Sequence, residues 1–109
     1  MKQKLLLSVD LDKIELPQIL KSLSDPTRLS IVATLYSNNK ECSCAIFEHL
    51  GKKSNLSQHY RNLRLNGLIS VRRSGIHSYL NLRKKELNQK FPGLLENICR
   101  NWKHNNNSI

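Results

Sequence analysis

This chain of 109 residues has no long apolar run, only three cysteines and few acidic side chains. The longest uninterrupted apolar run covers the four residues 44–47, whereas a membrane-spanning helix needs ~20. Because three cysteines are an odd number, they make no complete disulfide framework, and we expect free thiols in a reducing compartment. Ser8 and Asp10 interrupt the apolar start at residues 5–7, and no small-residue cleavage site follows. We therefore expect no export and a cytoplasmic location.

The few acidic residues are unevenly placed along the chain. Eight Asp and Glu stand against 18 Lys and Arg, a net charge of +10, and no acidic residue lies between Glu48 and Glu86. Half of the cations fall in that interval: Lys52, Lys53, Arg61, Arg64, Arg72, Arg73, Arg83, Lys84 and Lys85. A solvated surface is the alternative explanation, but solvated surfaces usually mix both signs. The charge therefore favours a polyanionic partner, with nucleic acid ahead of an anionic membrane.

Two other classes of function lack the residues that they need. The sequence has no glycine-rich phosphate loop, no recognisable Ser/His/Asp arrangement and no close pair of carboxylates, so we expect no enzyme. The cations stand beside Ser, Asn and Gln rather than beside an aromatic-rich apolar face, which argues against a helix lying on a membrane surface.

Apolar spacing predicts five helices and one β-hairpin in a single domain. Helices are predicted at residues 16–23, 26–38, 43–50 and 54–66, with a last one from about Pro92. Asp25 and Pro26 are typical of the start of the second helix, and Ser54 is the predicted cap of the fourth. Gly51 and Gly67 are expected to close the third and fourth helices as left-handed residues.

After Gly67 the apolar period changes from that of a helix to that of a strand. The pattern predicts strands at residues 68–73 and 76–82 around a turn at 74–75, and it leaves residues 1–12 open between helix and strand. The predicted fold class is therefore mainly α with a small β-hairpin, in the order α-α-α-α-β-β-α. A short helix, a tight turn and a longer helix followed by a basic hairpin make a winged helix-turn-helix with a three-helical DNA-binding core.

The fourth predicted helix carries uncharged side chains suited to reading DNA. Asn and Gln bond bidentately to adenine, Arg bonds to guanine, and Ser bonds to either base edges or phosphates. The candidate DNA-binding residues on this helix are Ser54, Asn55, Ser57, Gln58, His59, Arg61 and Asn62. On the hairpin they are Arg72, Arg73 and His77.

Several blocks of sequence resemble the ArsR/SmtB family of bacterial metal- and metalloid-responsive repressors. The first block is Ser24-Asp25-Pro26-Thr27-Arg28-Leu29 with Ile31, and the second is Ser57-Gln58-His59-Tyr60-Arg61-Asn62-Leu63-Arg64. The third block is Asn66-Gly67-Leu68-Ile69, followed by Arg72-Arg73-Ser74-Gly75 and Tyr79-Leu80-Asn81-Leu82. The resemblance covers about residues 16–82, and Tyr60 replaces the family's usual Leu with another apolar inward residue.

The resemblance implies a homodimeric repressor that binds an inverted-repeat operator in double-stranded DNA and leaves it when an inducer binds. It implies one domain over residues 1–109, with its core at about 16–82 and a dimerisation helix at about 91–104. The first and last helices are expected to pack across a two-fold axis, with Leu95, Ile98 and Trp102 partly buried by the second subunit.

Cys42 and Cys44 fall where the family has a Cys-Val-Cys metal motif. Their thiolates suit a soft ion such as arsenite, cadmium, lead or zinc, although no cofactor is expected for DNA binding itself. The family's third thiol would fall at Phe47, which cannot ligate, so Cys99 is the remaining candidate. The alternatives left open are three buried structural thiols, a redox-responsive pair, and a regulator that needs no inducer.

A second metal site of the family, built from Asp and His on the last helices, is not expected. The segment after Lys84 contains one histidine, His104, and no Asp.

Overall fold

Helices and short strands alternate along residues 3–107, the part of the chain that this computed structural model describes, with side chains as far as Trp102. The α-helices are α1 (Leu16–Leu23), α2 (Pro26–Asn38), α3 (Lys53–Leu65), α4 (Lys84–Lys90) and α5 (Leu94–Asn107). Two 3₁₀ segments occupy Leu11–Lys13 and Cys44–Leu50. The strands are β1 (Gln3–Leu5), β2 (Cys42–Ser43), β3 (Ile69–Ser74) and β4 (His77–Leu82). The architecture is that of a winged helix-turn-helix, as the sequence predicted.

The start of α2 follows the sequence signals closely. The Asp25 carboxylate accepts a hydrogen bond from the backbone N–H of Arg28 at 3.0 Å, and Pro26 occupies the first turn, where its missing N–H costs nothing. Asn39 ends the helix with a left-handed φ of 52°. The predicted bounds of α1 and α2 are both confirmed.

The region between α2 and α3 differs from the prediction in three respects. The third helix is a 3₁₀ segment, although Ser43 caps it by accepting from the N–H of Ala45 at 3.2 Å. Gly51 is close to extended, with φ 159° and ψ −173°, rather than left-handed. The cap of α3 is Lys52 and not Ser54, because the N–H of Leu56 already bonds to the Lys52 carbonyl at 2.9 Å.

Two helices stand where one was predicted at the end of the chain. The charged segment Lys84–Lys90 forms α4, and α5 begins only at Leu94, after Gly93 with φ 76°. A helix with a single buried residue, Leu87, has no apolar stripe for sequence periodicity to detect. None of the helices within residues 3–107 is long and apolar enough to cross a bilayer.

One antiparallel sheet contains all four strands of the described chain, in the order β1-β3-β4-β2. The β3–β4 hairpin is the predicted wing, and Ser74 pairs with His77 at its tip. The undecided N-terminal residues supply β1, which pairs with the outer edge of β3. On the other edge, β2 pairs Cys42 with Leu80.

The core lies between the helices and the inner face of this sheet. Its most deeply buried side chains are Ile19, Ile31, Val32, Leu35, Phe47, Leu63, Leu68, Ile69 and Leu80. Gly67 joins α3 to β3 with a left-handed φ of 81°, and a Cβ there would lie 2.5 Å from Leu11 Cδ2 and 3.2 Å from Ile14 Cγ1. The left-handed backbone and the close approach of Leu11 both favour glycine at this junction between α3 and β3.

Candidate nucleic-acid interface

A cleft of about 670 Å³ separates α3 from the wing. Its walls come from α3, the start of the 3₁₀ segment, both hairpin strands and Leu6. The cations that line it are Lys53, Arg61, Arg64 and Arg73, with His77 beside them. Glu48 is the single carboxylate among the lining residues that the structure describes. Positive charge concentrated between two walls attracts an extended polyanion.

The outer face of α3 presents five of the seven candidate residues to solvent. These are Ser54, Asn55, Ser57, Gln58 and Arg61. The inner face carries Leu56 and Leu63, both buried, so the helix is anchored on one side and free on the other. Such a helix can enter a major groove without any rearrangement of the core.

The structure does not bring His59 and Asn62 to that exposed face. His59 Nδ1 lies 3.2 Å from an Arg28 guanidinium nitrogen and 3.8 Å from the Asp25 carboxylate. The Asn62 side-chain oxygen accepts a hydrogen bond from the Ser22 hydroxyl at 2.7 Å. Both side chains join α3 to α1 and α2, and their geometry positions the helix rather than extending toward a ligand.

The two neighbouring arginines of the wing lie on opposite faces of the sheet. Arg73 is exposed and lines the cleft. Arg72 donates two hydrogen bonds to the Glu41 carboxylate, at 2.7 and 3.2 Å, and its guanidinium lies 4.3 Å from the ring centre of Tyr79. These hydrogen bonds lower the pKa of Glu41 below its ordinary value. Arg72 is thus engaged within the chain, whereas Arg73 faces the cleft.

The three candidate thiols lie in different surroundings. Cys42 is buried in the core, 3.4 Å from the Asn38 amide nitrogen, whereas Cys44 is half-buried and lines the cleft. Cys99 is buried on α5. Burial raises the pKa of both Cys44 and Cys99 to about 11, so their thiols are protonated at neutral pH. No group of three or more His, Cys, Asp or Glu side chains within the described residues has the geometry of a metal site.

Sequence reasoning did not anticipate the place of three residues in the cleft. Lys53 and Arg64 belong to the charge run, which was the available signal, but their place in the cleft depends on how α3 packs against the wing. Tyr60 keeps its ring against Phe47, with ring centres 6.4 Å apart, as an inward residue should. Its hydroxyl is buried beside the Cys44 thiol, and burial raises the pKa of this phenol.

Comparison with known proteins identifies the same segment. The family model for bacterial regulatory proteins of the arsR family matches residues 25–71, which run from the cap of α2 into β3. An uncharacterised HTH-type transcriptional regulator of Bacillus subtilis (strain 168), YceK, is 38% identical over 86 residues, covering 74% of this chain and 83% of that protein. The arsenical resistance operon repressor of Staphylococcus xylosus is 38% identical over 78 residues, covering 71% of this chain and 69% of the relative. The chain therefore belongs to the ArsR family, and it is a DNA-binding transcriptional regulator and not an enzyme.

Proposed function

We propose that the protein is a homodimeric repressor that reads an inverted-repeat operator and leaves it when a soft metal or metalloid ion binds cysteine thiolates. The observation that carries the DNA-binding half is the continuity of the exposed face of α3 with the basic cleft beside the wing. The inducer half draws on the relative named as an arsenical resistance operon repressor and on the two thiols that precede α3. A repressor acts where operator DNA lies, so the proposal places it in the cytoplasm.

In the proposed complex, α3 lies in the major groove and the cleft holds the adjoining backbone. Gln58 and Arg61, both exposed, are the strongest candidates for contacts to base edges, with Asn55, Ser57 and Ser54 beside them. Arg73 and His77 on the wing contact phosphates or the neighbouring minor groove. We assign base contacts to α3 and phosphate contacts to the wing because the wing flanks the helix that lies in the groove.

The test begins with selection of a preferred site from random duplexes. If each subunit neutralises about three to five phosphates, a dimer's log affinity falls against log salt with a slope of roughly −5 to −9. Replacing Gln58 or Arg61 by Ala is expected to cost ~1–3 kcal/mol on the selected site and much less on random DNA. The matched control is Gln89→Ala, an exposed glutamine on α4 outside the cleft. Equal affinity for selected and random duplexes, or no salt dependence, would refute a sequence-specific repressor.

The dimer interface in this proposal combines α1 with α5. Leu16 and Leu20 are 41% and 47% exposed, one helical turn apart, although both are apolar. Leu94 and Ile98 form an equivalent half-buried row on α5, while Leu95 is already buried in its own chain. Leu94 and Ile98 border the same small void as Ile19 and Leu23 of α1, so the two helices meet around that void. A two-fold axis through this surface would cover both rows.

The inducer site in this proposal uses Cys42 and Cys44. Cys44 stands at the first turn of the 3₁₀ segment and borders the cleft, so a ligand that draws both sulfurs together distorts the wall that faces DNA. A third sulfur must come from Cys99 of either subunit or from a small thiol, because Phe47 cannot ligate. The same experiments on these thiols also test two alternatives: that Cys42 and Cys44 form a redox-responsive pair, and that the regulator needs no inducer.

A further inference from the structure

The N-terminal strand joins the wing on the side of the cleft. β1 pairs with β3 in a register that sets Lys4 opposite Arg73. Two further hydrogen bonds continue the attachment, from Leu6 N–H to the Val71 carbonyl at 2.9 Å and from the Arg64 guanidinium to the Leu7 carbonyl at 2.9 Å. The segment is thus held both by the wing and by α3.

Burial of side chains does not explain this strand. All three residues of β1 are exposed, and Leu5 and Leu7 keep 69% and 85% of their surface in solvent. Like charges directly opposite each other on neighbouring strands are destabilising, and Lys4 with Arg73 is such a pair. Backbone hydrogen bonds, together with the half-buried Leu6 that follows the strand, therefore hold β1 in place against a local repulsion.

The repulsive pair lies on the face of the sheet that borders the cleft. Opposed residues of an antiparallel pair point to the same face, and alternate residues of a strand share a face. Arg73 and Leu6 both line the cleft, so Lys4 shares their face of the sheet and extends it outward. The first acidic residue in the chain is Asp10, and the β3–β4 hairpin contains none, so these strands supply no carboxylate for either cation.

We infer that β1 is a third strand of the DNA-binding wing, and that the Lys4 ammonium and the Arg73 guanidinium together hold one phosphate of the DNA backbone. This inference rests on the proposed DNA-binding function and adds a residue outside the segment matched by the family model. A phosphate between the two cations offsets their repulsion and accepts one charge-assisted hydrogen bond from each of them. The contact is independent of DNA sequence, so a known operator is not required to test it.

The experiment compares Lys4→Ala, Lys4→Arg and Lys4→Glu on a random-sequence duplex of about 30 base pairs, long enough for two half-sites one turn apart. Lys4→Ala is expected to reduce the salt slope by about 1 for each bound subunit and to weaken binding to every sequence alike. Lys4→Arg should bind as the parent does, and Lys4→Glu should bind more weakly than Lys4→Ala. The matched control is Lys13→Ala, which removes the same charge from an exposed position outside the cleft.

Thermal unfolding without DNA separates a binding role from a structural one. Lys4→Glu faces Arg73 with an opposite charge, so its midpoint should equal or exceed that of the parent even though its DNA affinity falls. Unchanged slope and affinity in Lys4→Ala, or an equal loss in Lys13→Ala, would overturn the inference while leaving the proposed repressor intact. Salt-independent binding by the parent protein would instead overturn the proposed function, and this contact with it.

Discussion

Adjacent residues of the wing have different environments although they carry the same charge. Sequence reasoning treats Arg72 and Arg73 alike, because both lie in the basic run and both suit a phosphate. Strand alternation separates them: Arg72 bonds Glu41 and stacks on Tyr79, whereas Arg73 lines the cleft. Glu41 lies 31 residues before Arg72, and that distance is why the ion pair was not visible in the sequence.

Replacing each arginine by Ala is therefore expected to change a different property, DNA binding for Arg73 and stability for Arg72. Arg73→Ala should weaken binding to all duplexes and flatten the salt slope by about 1 for each subunit, with an unfolding midpoint equal to or above that of the parent. Arg72→Ala should lower the unfolding midpoint and leave the slope close to that of the parent. Salt titrations of DNA binding together with thermal melts measure both effects.

The stability loss in Arg72→Ala should depend on pH in a defined direction. The pKa of Glu41 is lowered in the folded state, so the pair's contribution is present above the ordinary value of 4.5 and disappears as pH falls through the lowered pKa. The gap in midpoint between parent and variant should shrink from about pH 7 to about pH 3. A constant gap, or an equal loss of DNA affinity in both variants, would contradict this division of roles.

At the scale of elements, local chemistry was sufficient for some segments and insufficient for others. The start of α2 was predictable because its cap, Asp25, and its first residue, Pro26, are neighbours in the sequence. Gly67 correctly marked the end of α3. β1 was not predictable, because it pairs with residues about 70 positions later through backbone atoms that carry no sequence signal. α4 was missed because one buried Leu87 gives no periodicity.

The exposed apolar row on α1 leads to a prediction about assembly. Leu20→Glu should convert the dimer to a monomer in sedimentation velocity without unfolding the chain, because the side chain is already 47% exposed within one subunit. Leu65→Glu is the matched control, since Leu65 on α3 is 43% exposed and lies outside the proposed interface. A dimeric Leu20→Glu variant would place the interface elsewhere.

Truncating the chain so that it ends before Phe91 is a weaker test of the same interface. It removes Leu95 and Cys99, which are buried in the core of their own subunit. Loss of the dimer after such a deletion would therefore follow from unfolding, and point substitutions on the exposed row are preferable.

At the scale of the whole molecule, folding keeps several of the cations together and gives Cys42 and Cys44 different surroundings. Four cations of the basic run, Lys53, Arg61, Arg64 and Arg73, line the cleft because α3 and the hairpin are consecutive elements joined by Gly67. Cys42 and Cys44, two residues apart in the sequence, suggested a shared site; in the fold Cys42 is buried in the core and Cys44 lines the cleft. A basic surface requires only that cations lie near one another. A metal site requires specific distances between sulfur atoms, and sequence spacing alone does not determine them.

The last prediction concerns how the thiols respond to an inducer. With the pKa of Cys44 raised to about 11, a divalent soft cation must displace a proton from this thiol. Cadmium affinity should therefore rise by up to about tenfold per pH unit for each thiol bound. Arsenous acid loses its hydroxyls as water together with the thiol protons, so its affinity should change little over the same range. Titration of reduced protein under nitrogen, with operator release as the signal, distinguishes the two ligands.

The Cys42→Ser/Cys44→Ser variant decides whether these thiols sense anything, with Cys99→Ser tested separately. A tenfold to hundredfold loss of DNA affinity on ligand binding corresponds to ~1.4–2.8 kcal/mol of coupling, and it should vanish in the double variant. Because a protonated, half-buried thiol oxidises slowly, peroxide should release the parent less effectively than the metalloid does. Release by peroxide alone, reversed by dithiothreitol, would favour a redox switch. A double variant that responds as the parent does would show that both cysteines serve packing.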